Sequence, residues 1–548
     1  MTETQQDDVF ALLADPATHD GAKVTRFDTH AASVFLAGDR AYKVKRAVRF
    51  PFLDYSTLEK RKAACTAELK VNRRFAPELY HRVVPISRDG GALRLDGAGE
   101  PVEWAVEMTR FDEAQTLDHV AGRGGLAGRL PEKLARMVAA MHRKAEPVDP
   151  APWLAALDDY IKQNTEGFRR HKTIFPHEQI DELDRSSRAA LGRLRPLLIE
   201  RGRLGLIRQG HGDLHLGNIA LVDDEPVAFD AIEFDPVIAS GDVLYDLAFM
   251  LMDLVERDLT AAANTVLNGY FEASRRIEDC DGLAALPLFL SLRAAIRAMV
   301  TAAKLERAAD DKRDAVARAA AKYFKLALDL LAPASPKILA TGGLSGTGKS
   351  VLAKGLAPFV APLPGALVLR SDVERKALFG KDETERLPSE AYRAEVSERV
   401  YAVLYDKARR IARAGHSVIA DAVFAREHER EAIEAVAREA GVAFQGFYLN
   451  ADLETRVKRV GGRGPDGGPV RAGHGGPGRH GLGGGGAHRA CPFSRCGSPS
   501  CSPAAAAVAD TAASWVWAEG VADWPAAPVT AAPATAQVAN VDIPAQPA

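Results

Sequence analysis

Residues Gly343-Leu344-Ser345-Gly346-Thr347-Gly348-Lys349-Ser350 fit the pattern G-x-x-x-x-G-K-[ST], and they stand between a strand-like run, Lys337 to Gly342, and an apolar helical run, Ser350 to Phe359. No other feature constrains the fold as much. A strand that turns through glycine into a helix brings backbone N–H groups and a helix N-terminus to one point, where a polyphosphate can sit. Gly343, Gly346 and Gly348 permit close approach, and Leu344, Ser345 and Thr347 add amides to the cradle. Lys349 would reach the β- and γ-phosphates of ATP and the Ser350 hydroxyl would ligand Mg²⁺, placing positive charge where a phosphoryl-transfer transition state spreads negative charge. A glycine turn before a buried helix is the plain alternative; a dinucleotide fold is not, because the G-x-G-x-x-G spacing is absent.

Beyond this loop, strand-like and helix-like runs alternate: Ala366 to Leu369, Ala391 to Ala414, Ser417 to Ala420, Glu427 to Ala440, Ala443 to Leu449. The alternation predicts a parallel sheet with crossover helices, a three-layer α/β/α domain over residues 337–465. Asp372 and Asp421 follow two of the strands, where open parallel sheets face their ligand. Asp372 is thus a candidate base, with Arg375 beside it, and Asp421 a candidate for orienting Mg²⁺; helix capping is the alternative for both. Arg456, Arg459 and Arg463 recur at helical spacing and could present guanidiniums to phosphates, or form a solvated basic face. These residues resemble the small P-loop kinases, a group that includes gluconate and polynucleotide kinases, zeta toxins and chloramphenicol phosphotransferase.

A chain of 548 residues is too long for one core, and a prior of about 150 residues per domain suggests roughly two to four units. The sequence APASP at Ala332 to Pro336 stops a long helical pattern, so a boundary is expected there. Upstream of it, strand-like runs at Ser33 to Leu36 and Ala41 to Val44 precede a helix over Thr57 to Arg74 with Ser56 as its N-cap. From about Pro131 to Leu331 the pattern is mainly helical, interrupted between Gly210 and Ile238. A β-rich front and a helical rear describe a two-lobed α+β body.

The interruption contains His211-Gly-Asp-Leu-His-Leu-Gly-Asn218, in which Asp213 precedes Asn218 by the interval seen in protein-kinase catalytic loops. A strand-like run, Pro226 to Phe229, then delivers Asp230. This set resembles the aminoglycoside phosphotransferase family, whose loop reads H-G-D-x-H-x-x-N, over about residues 25 to 330. The resemblance implies that Asp213 is the base for an acceptor hydroxyl and that Asn218 and Asp230 hold Mg²⁺. An ATP-cradling lysine on an early strand, paired with a helical glutamate, is supplied by Lys43 and Glu68. Lys45 points to the same face as Lys43, so spacing does not separate them, and an exposed basic strand edge is the alternative. No glycine-rich loop precedes Lys43, only Ala37-Gly38-Asp39. A zinc site from His211, Asp213 and His215 lacks an accompanying ligand cluster. Asp242 and Asp246, flanking Tyr245, suit loop anchoring better than acceptor binding.

The two domains together resemble a bacterial family of fused bifunctional phosphotransferase and AAA-type ATP-binding proteins, through FPFLDYSTLEKR and ELKVNRRFAPELY as well as both loops. The reaction expected is ATP-dependent transfer to a small hydroxylated molecule; a nucleotide-dependent sensor without an acceptor is the alternative. A formal charge of −2 gives no electrostatic footprint for nucleic acid. The acidic N-terminus and the absence of eighteen uninterrupted apolar residues predict no membrane segment and a cytoplasmic location. Cys65 and Cys280 stand alone, which excludes a disulfide framework, and Cys491, Cys496 and Cys501 crowd the C-terminal region. There the pattern collapses: fourteen of the thirty residues from 461 to 490 are glycine, so residues 466–548 are expected to form a tail without order. A reading-frame shift in the coding sequence would produce such a collapse, and would leave the second sheet with an uncovered edge.

Overall fold

The computed structural model describes residues 6–50, 53–306, 308–332, 334–382, 385–461 and 514–519. They divide into two units: residues 1–335 with the stretches 361–367 and 413–416, and residues 336–360, 368–412 and 417–548.

In the first unit a six-stranded antiparallel sheet runs in the order Val24–Asp28, Ala32–Ala37, Arg40–Lys45, Glu100–Thr109, Tyr80–Asp89, Ala92–Leu95. The period of two along a strand sorts its side chains between two cores. One face, with Phe35, Val44, Val84 and Ile86, packs against Val9, Phe10 and Leu13 of the helix Asp7–Ala14. The other, with Leu36, Ala41, Val106 and Met108, covers Cys65 of the helix Leu58–Asn72. Lys43 and Lys45 share the parity of Ala41 and therefore face that helix. Its N-cap is Thr57, whose hydroxyl accepts from the Lys60 amide; Ser56, the cap expected from sequence, instead donates its hydroxyl to Asp54.

The helical rear is built around Val243–Glu256, which is buried from Val243 to Val255. Two aspartates in so apolar a helix need buried partners, and both find them in the loop that follows Gly210. Asp246 accepts from the His211 and Gly212 amides at 3.0 and 2.9 Å, and Asp253 from the Leu216 amide at 3.0 Å. Asp242 caps this helix through the Leu244 amide and takes a bidentate pair from the buried Arg201. The segment Glu278–Glu306 is long and apolar enough by composition to cross a membrane, but Arg293 and Arg297 interrupt it and most of its apolar window is buried inside the fold, as in a core helix. Its Leu288, Phe289, Leu290 and Leu292 belong to the core, and Ser291 donates to the Ala327 carbonyl.

The second unit holds a five-stranded sheet in the order Leu367–Arg370, Val418–Asp421, Lys337–Gly342, Ala443–Asn450, Ser514–Glu519. Lys337–Gly342 pairs in parallel with both its neighbours. The strand Ser514–Glu519 corrects two expectations. Six residues of the tail are ordered in β-structure, and they pair in parallel along Ala443–Asn450, so that edge is covered. The reason lies in Ser-Trp-Val-Trp, a β-favouring stretch whose Trp515 ring meets Phe424 and Phe444 at centroid distances of 5.6 and 5.8 Å. The remainder of the expected tail, with Arg463, Cys491, Cys496 and Cys501, lies outside the described residues. Cys65 and Cys280 are both buried, and neither is in a disulfide.

Candidate active sites

In the first unit, ion-pair partners separated by up to 188 positions meet in one ionic cluster. Lys43 Nζ lies 2.7 Å from Glu68 Oε1 and 2.5 Å from Asp230 Oδ1. Lys45 Nζ lies 2.6 Å from Glu68 Oε2 and 2.5 Å from Glu233 Oε1, and the Tyr55 hydroxyl donates to the same Glu233 oxygen at 2.9 Å. Both lysines thus engage Glu68, and only Lys43 reaches Asp230. The exposed basic edge is excluded for this strand, because Glu68 is fully buried and both lysine side chains nearly so. Burial opposes the charge of Lys43, but Asp230 and Glu68 outweigh it and hold its pKa well above the ordinary lysine value. Burial likewise opposes the Glu68 carboxylate, and the two ammonium groups prevail, lowering its pKa to about 2.

Asp230 itself has φ of 61°, a left-handed conformation that aspartate tolerates better than most residues. Three hydrogen bonds fix the backbone around it. The Asp230 amide donates to the Tyr80 hydroxyl at 3.0 Å, the Ala231 amide to Asn72 Oδ1 at 2.8 Å and the Ile232 amide to the His211 carbonyl at 3.0 Å.

Asn218 Nδ2 donates to the Asp213 carbonyl at 2.9 Å and to its Oδ2 at 3.0 Å, closing the loop on itself. Since those partners only accept, the amide oxygen of Asn218 is the atom left for a cation. Burial pushes the Asp213 pKa up, His215, His211 and Arg293 pull it down, and the net value is about 2. Asp213 is therefore an anion at neutral pH, half-exposed and able to accept a proton. His211 is not available for zinc: Nε2 meets the Phe229 carbonyl at 2.9 Å and Nδ1 the Asp213 amide at 3.4 Å. That pairing fixes a neutral tautomer, consistent with burial lowering its pKa. Among the described residues no cluster of three or more His, Cys, Asp or Glu could hold a metal ion by itself, so a cation here would depend on Asn218, Asp230 and the oxygens of a bound ligand. These are hard oxygen donors, which suits Mg²⁺.

Sequence reasoning missed one feature of this unit. Thr25, Phe27, Leu36 and the segment Arg110–Glu113 line a cavity of about 160 Å³. Its Phe111 ring packs on Phe229, the residue before Asp230, with centroids 4.8 Å apart. No local motif marks Arg110–Glu113; only its place after the sheet's central strand does.

In the second unit, Gly343, Gly346 and Gly348 have φ of 131°, 87° and 96°. Close approach adds to the requirement for glycine at the first two, where a Cβ would lie 2.4 Å from the Leu449 carbonyl oxygen and 2.7 Å from that of Arg456. Lys349, at the first turn of the helix Lys349–Leu356, donates to the Leu344 carbonyl at 3.3 Å. The Ser350 hydroxyl donates to Asp421 Oδ2 at 2.6 Å, bringing together the hydroxyl and strand-end carboxylate that could share a divalent cation. Burial raises the Asp421 pKa against the pull of Ser350 and Lys349. Arg456 donates from Nε to the Ser345 carbonyl at 3.1 Å, so it braces the loop, and Arg459 lies on the same helix, Leu453–Gly461. Asp372 is a first-turn residue of the helix Ser371–Leu378, half-exposed, with Lys376 at 3.7 Å. Arg375, three residues on in the same helix, donates its guanidinium to the Ala391 carbonyl and to Ser397.

A two-lobed body with a paired lysine, an aspartate loop and a second aspartate defines a kinase-like phosphotransferase fold, and the glycine loop over a parallel sheet defines a P-loop domain. The chain is an APH-like phosphotransferase domain fused to an AAA-type P-loop domain: residues 28–283 match the phosphotransferase enzyme family and residues 338–473 the AAA domain. Among relatives, an uncharacterized protein of Mycobacterium tuberculosis is 29% identical over 441 residues, covering 79% of this chain and 85% of its own length. A choline/ethanolamine kinase family protein of Mesorhizobium loti is 16% identical, covering 60% of this chain and 99% of that structure, at a TM-score of 0.34. An aminoglycoside phosphotransferase of Alicyclobacillus acidocaldarius is 18% identical, covering 58% and 93%, also at 0.34.

Proposed function

We propose that the first domain transfers the γ-phosphate of ATP to a hydroxyl of a small molecule, and that the second binds a nucleotide of its own. The observation that carries this is the convergence of Lys43, Glu68, Asp213, Asn218 and Asp230 from four separate parts of the chain. The cavity lined by Phe27, Leu36 and Phe111 takes the base, with the polar backbone of Arg110–Glu113 along its edge. Lys43 neutralises phosphate oxygens, and Glu68 keeps it extended toward them. Asn218 and Asp230 would hold Mg²⁺, which neutralises charge on the phosphates when bound. Asp213 orients the acceptor hydroxyl and receives its proton as the new P–O bond forms.

In the second domain the amides of Gly343 to Ser350 and the Lys349 ammonium hold the terminal phosphates, with Ser350 and Asp421 toward the cation. Asp372 is the candidate base there, and Arg456 and Arg459 close on the loop. Use of ATP accords with the cytoplasmic location expected from the sequence.

The test is to incubate wild type, Asp213→Ala and Lys349→Ala with γ-labelled ATP and a metabolite extract. Label entering a small molecule with wild type and not with Asp213→Ala supports the assignment. Nucleotide binding without transfer in all three supports a sensor instead.

A further inference from the structure

Glu68 is one carboxylate shared by two lysines, and the sharing is symmetrical. Lys43 holds Oε1 and also reaches Asp230; Lys45 holds Oε2 and also reaches Glu233. Glu233 is nearly as buried as Lys45, and its Oε1 additionally accepts from Tyr55, whose ring lies 5.4 Å from the Lys45 ammonium. Three elements meet here: the strand Arg40–Lys45, the helix Leu58–Asn72 and the loop that carries Asp230. The backbone of that loop is already fixed by Tyr80, Asn72 and His211, so Glu233 is not needed to hold it in place. What Glu233 supplies is charge.

Consider what a nucleotide requires of this cluster. Lys43 must turn from Asp230 to a phosphate, and Asp230 from Lys43 to a cation. Were Lys45 absent, both Glu68 oxygens would close on Lys43, and a buried carboxylate holds its one counter-ion tightly. Were Glu233 neutral, Lys45 would draw on Glu68 alone, and Lys43 would lean further on Asp230. Either change ties up a group that the ligand needs. Resting on the phosphotransferase reading above, we infer that Lys45, Glu233 and Tyr55 are positioning residues: they divide Glu68 between two lysines, so that Lys43 and Asp230 can pass to phosphate and cation. None of the three touches the ligand.

The test uses the full-length chain carrying Lys349→Ala, which weakens the second domain's site, at ATP concentrations where the first domain's site dominates the reading. Calorimetry at fixed ATP gives the Mg²⁺ concentration for half-maximal binding, and a thermal melt reports the fold. Glu233→Gln keeps an oxygen that accepts from both Lys45 and Tyr55 and removes only the charge. It is expected to raise the Mg²⁺ half-saturation roughly tenfold, the lower end of what outer-shell substitutions do at metal sites. Excess Mg²⁺ should restore binding. Tyr55→Phe, which deletes a single hydroxyl from the same cluster, shifts the half-saturation in the same direction by a smaller factor. A lowered melting temperature with an unchanged Mg²⁺ requirement in both variants means that the cluster is structural only, and overturns the inference. A parent chain that binds no Mg·ATP at all overturns the phosphotransferase reading, and this inference with it.

Discussion

The two domains handle phosphate chemistry with opposite materials. In the first, the site is made of side chains gathered from positions 43, 68, 213, 218 and 230, each held by a partly buried ion pair or hydrogen bond. In the second it is made mainly of backbone, eight consecutive residues turning from strand to helix with three glycines at positive φ. The side-chain site can be dismantled one charge at a time, and each loss leaves a buried partner exposed to an unfavourable medium. The backbone site has no single donor whose loss removes it, but its shape fails if a Cβ intrudes. One is fragile in its electrostatics, the other in its geometry.

The largest effect expected from this contrast is on transfer itself. Asp213→Ala should lower phosphate transfer by roughly 10³-fold, within the usual range for a positioned base, and leave ATP binding in the first domain nearly unchanged. Single-turnover transfer alongside a binding isotherm separates the two. Binding lost in parallel with transfer would mean that Asp213 organises the nucleotide, and that the division of labour between Asp213 and the lysine cluster is wrong.

Next is the anchor of the catalytic loop. Asp246 accepts two backbone amides and takes His142 Nε2 at 3.1 Å, all buried. Asp246→Asn can satisfy only one of the two amides and should destabilise the first domain by about 3 kcal/mol. Burial raises the Asp246 pKa, His142 lowers it, and the net result is depressed well below the ordinary carboxylate value. Its contribution is therefore complete above the unfolded pKa near 4 and fades as pH falls through the folded one. Denaturation followed against pH should show the gap between wild type and Asp246→Asn constant from pH 7 to 5 and narrowing below 4. A gap that stays constant throughout would place the cost in packing rather than charge.

The backbone site should respond more mildly to loss of its lysine. Lys349→Ala removes a charged donor and leaves the amides, so nucleotide affinity of the second domain should fall by about 10–100-fold. A Lys43→Ala background isolates this site in calorimetry. A complete loss would show that the amides hold little without the ammonium, and the contrast between the two sites would disappear.

What could be read in advance follows the same division. The glycine loop is contiguous, so pattern alone located it, and Asp213 and Asn218 share one short loop and were legible for that reason. Lys43 and Lys45 could not be told apart, because a period of two puts both on one face; the third dimension separates them through Asp230 and Glu233. Asn72, Tyr80 and the Arg110–Glu113 wall carried no signature, since their roles depend on contacts between distant segments. Arg375 was placed beside Asp372 by spacing, yet its long side chain turns toward Ala391 and Ser397.

The clearest failure concerned composition. Surrounded by alanine, glycine and proline, Ser514–Glu519 reads as part of a tail, but its pairing depends on six residues and not on the average around them. Gly446 shows how closely it fits: a Cβ there would come within 2.3 Å of the Trp515 ring. The ring also meets Phe424 and Phe444. Trp515→Ala should therefore destabilise the second domain, by about 2 kcal/mol, less than for a fully buried tryptophan because the ring is only partly buried. The measurement is the urea midpoint of the second domain's transition, with and without nucleotide. Since Gly343 of the phosphate loop passes so close to Leu449 that a Cβ would lie 2.4 Å from its carbonyl oxygen, and Leu449 pairs with Ala518 of the edge strand, loosening that edge should also weaken nucleotide affinity a fewfold while leaving Asp213-dependent transfer untouched. If affinity is unchanged, the P-loop holds its shape independently of the strand at the sheet's edge, and its geometry is more robust than the contrast with the first domain implies.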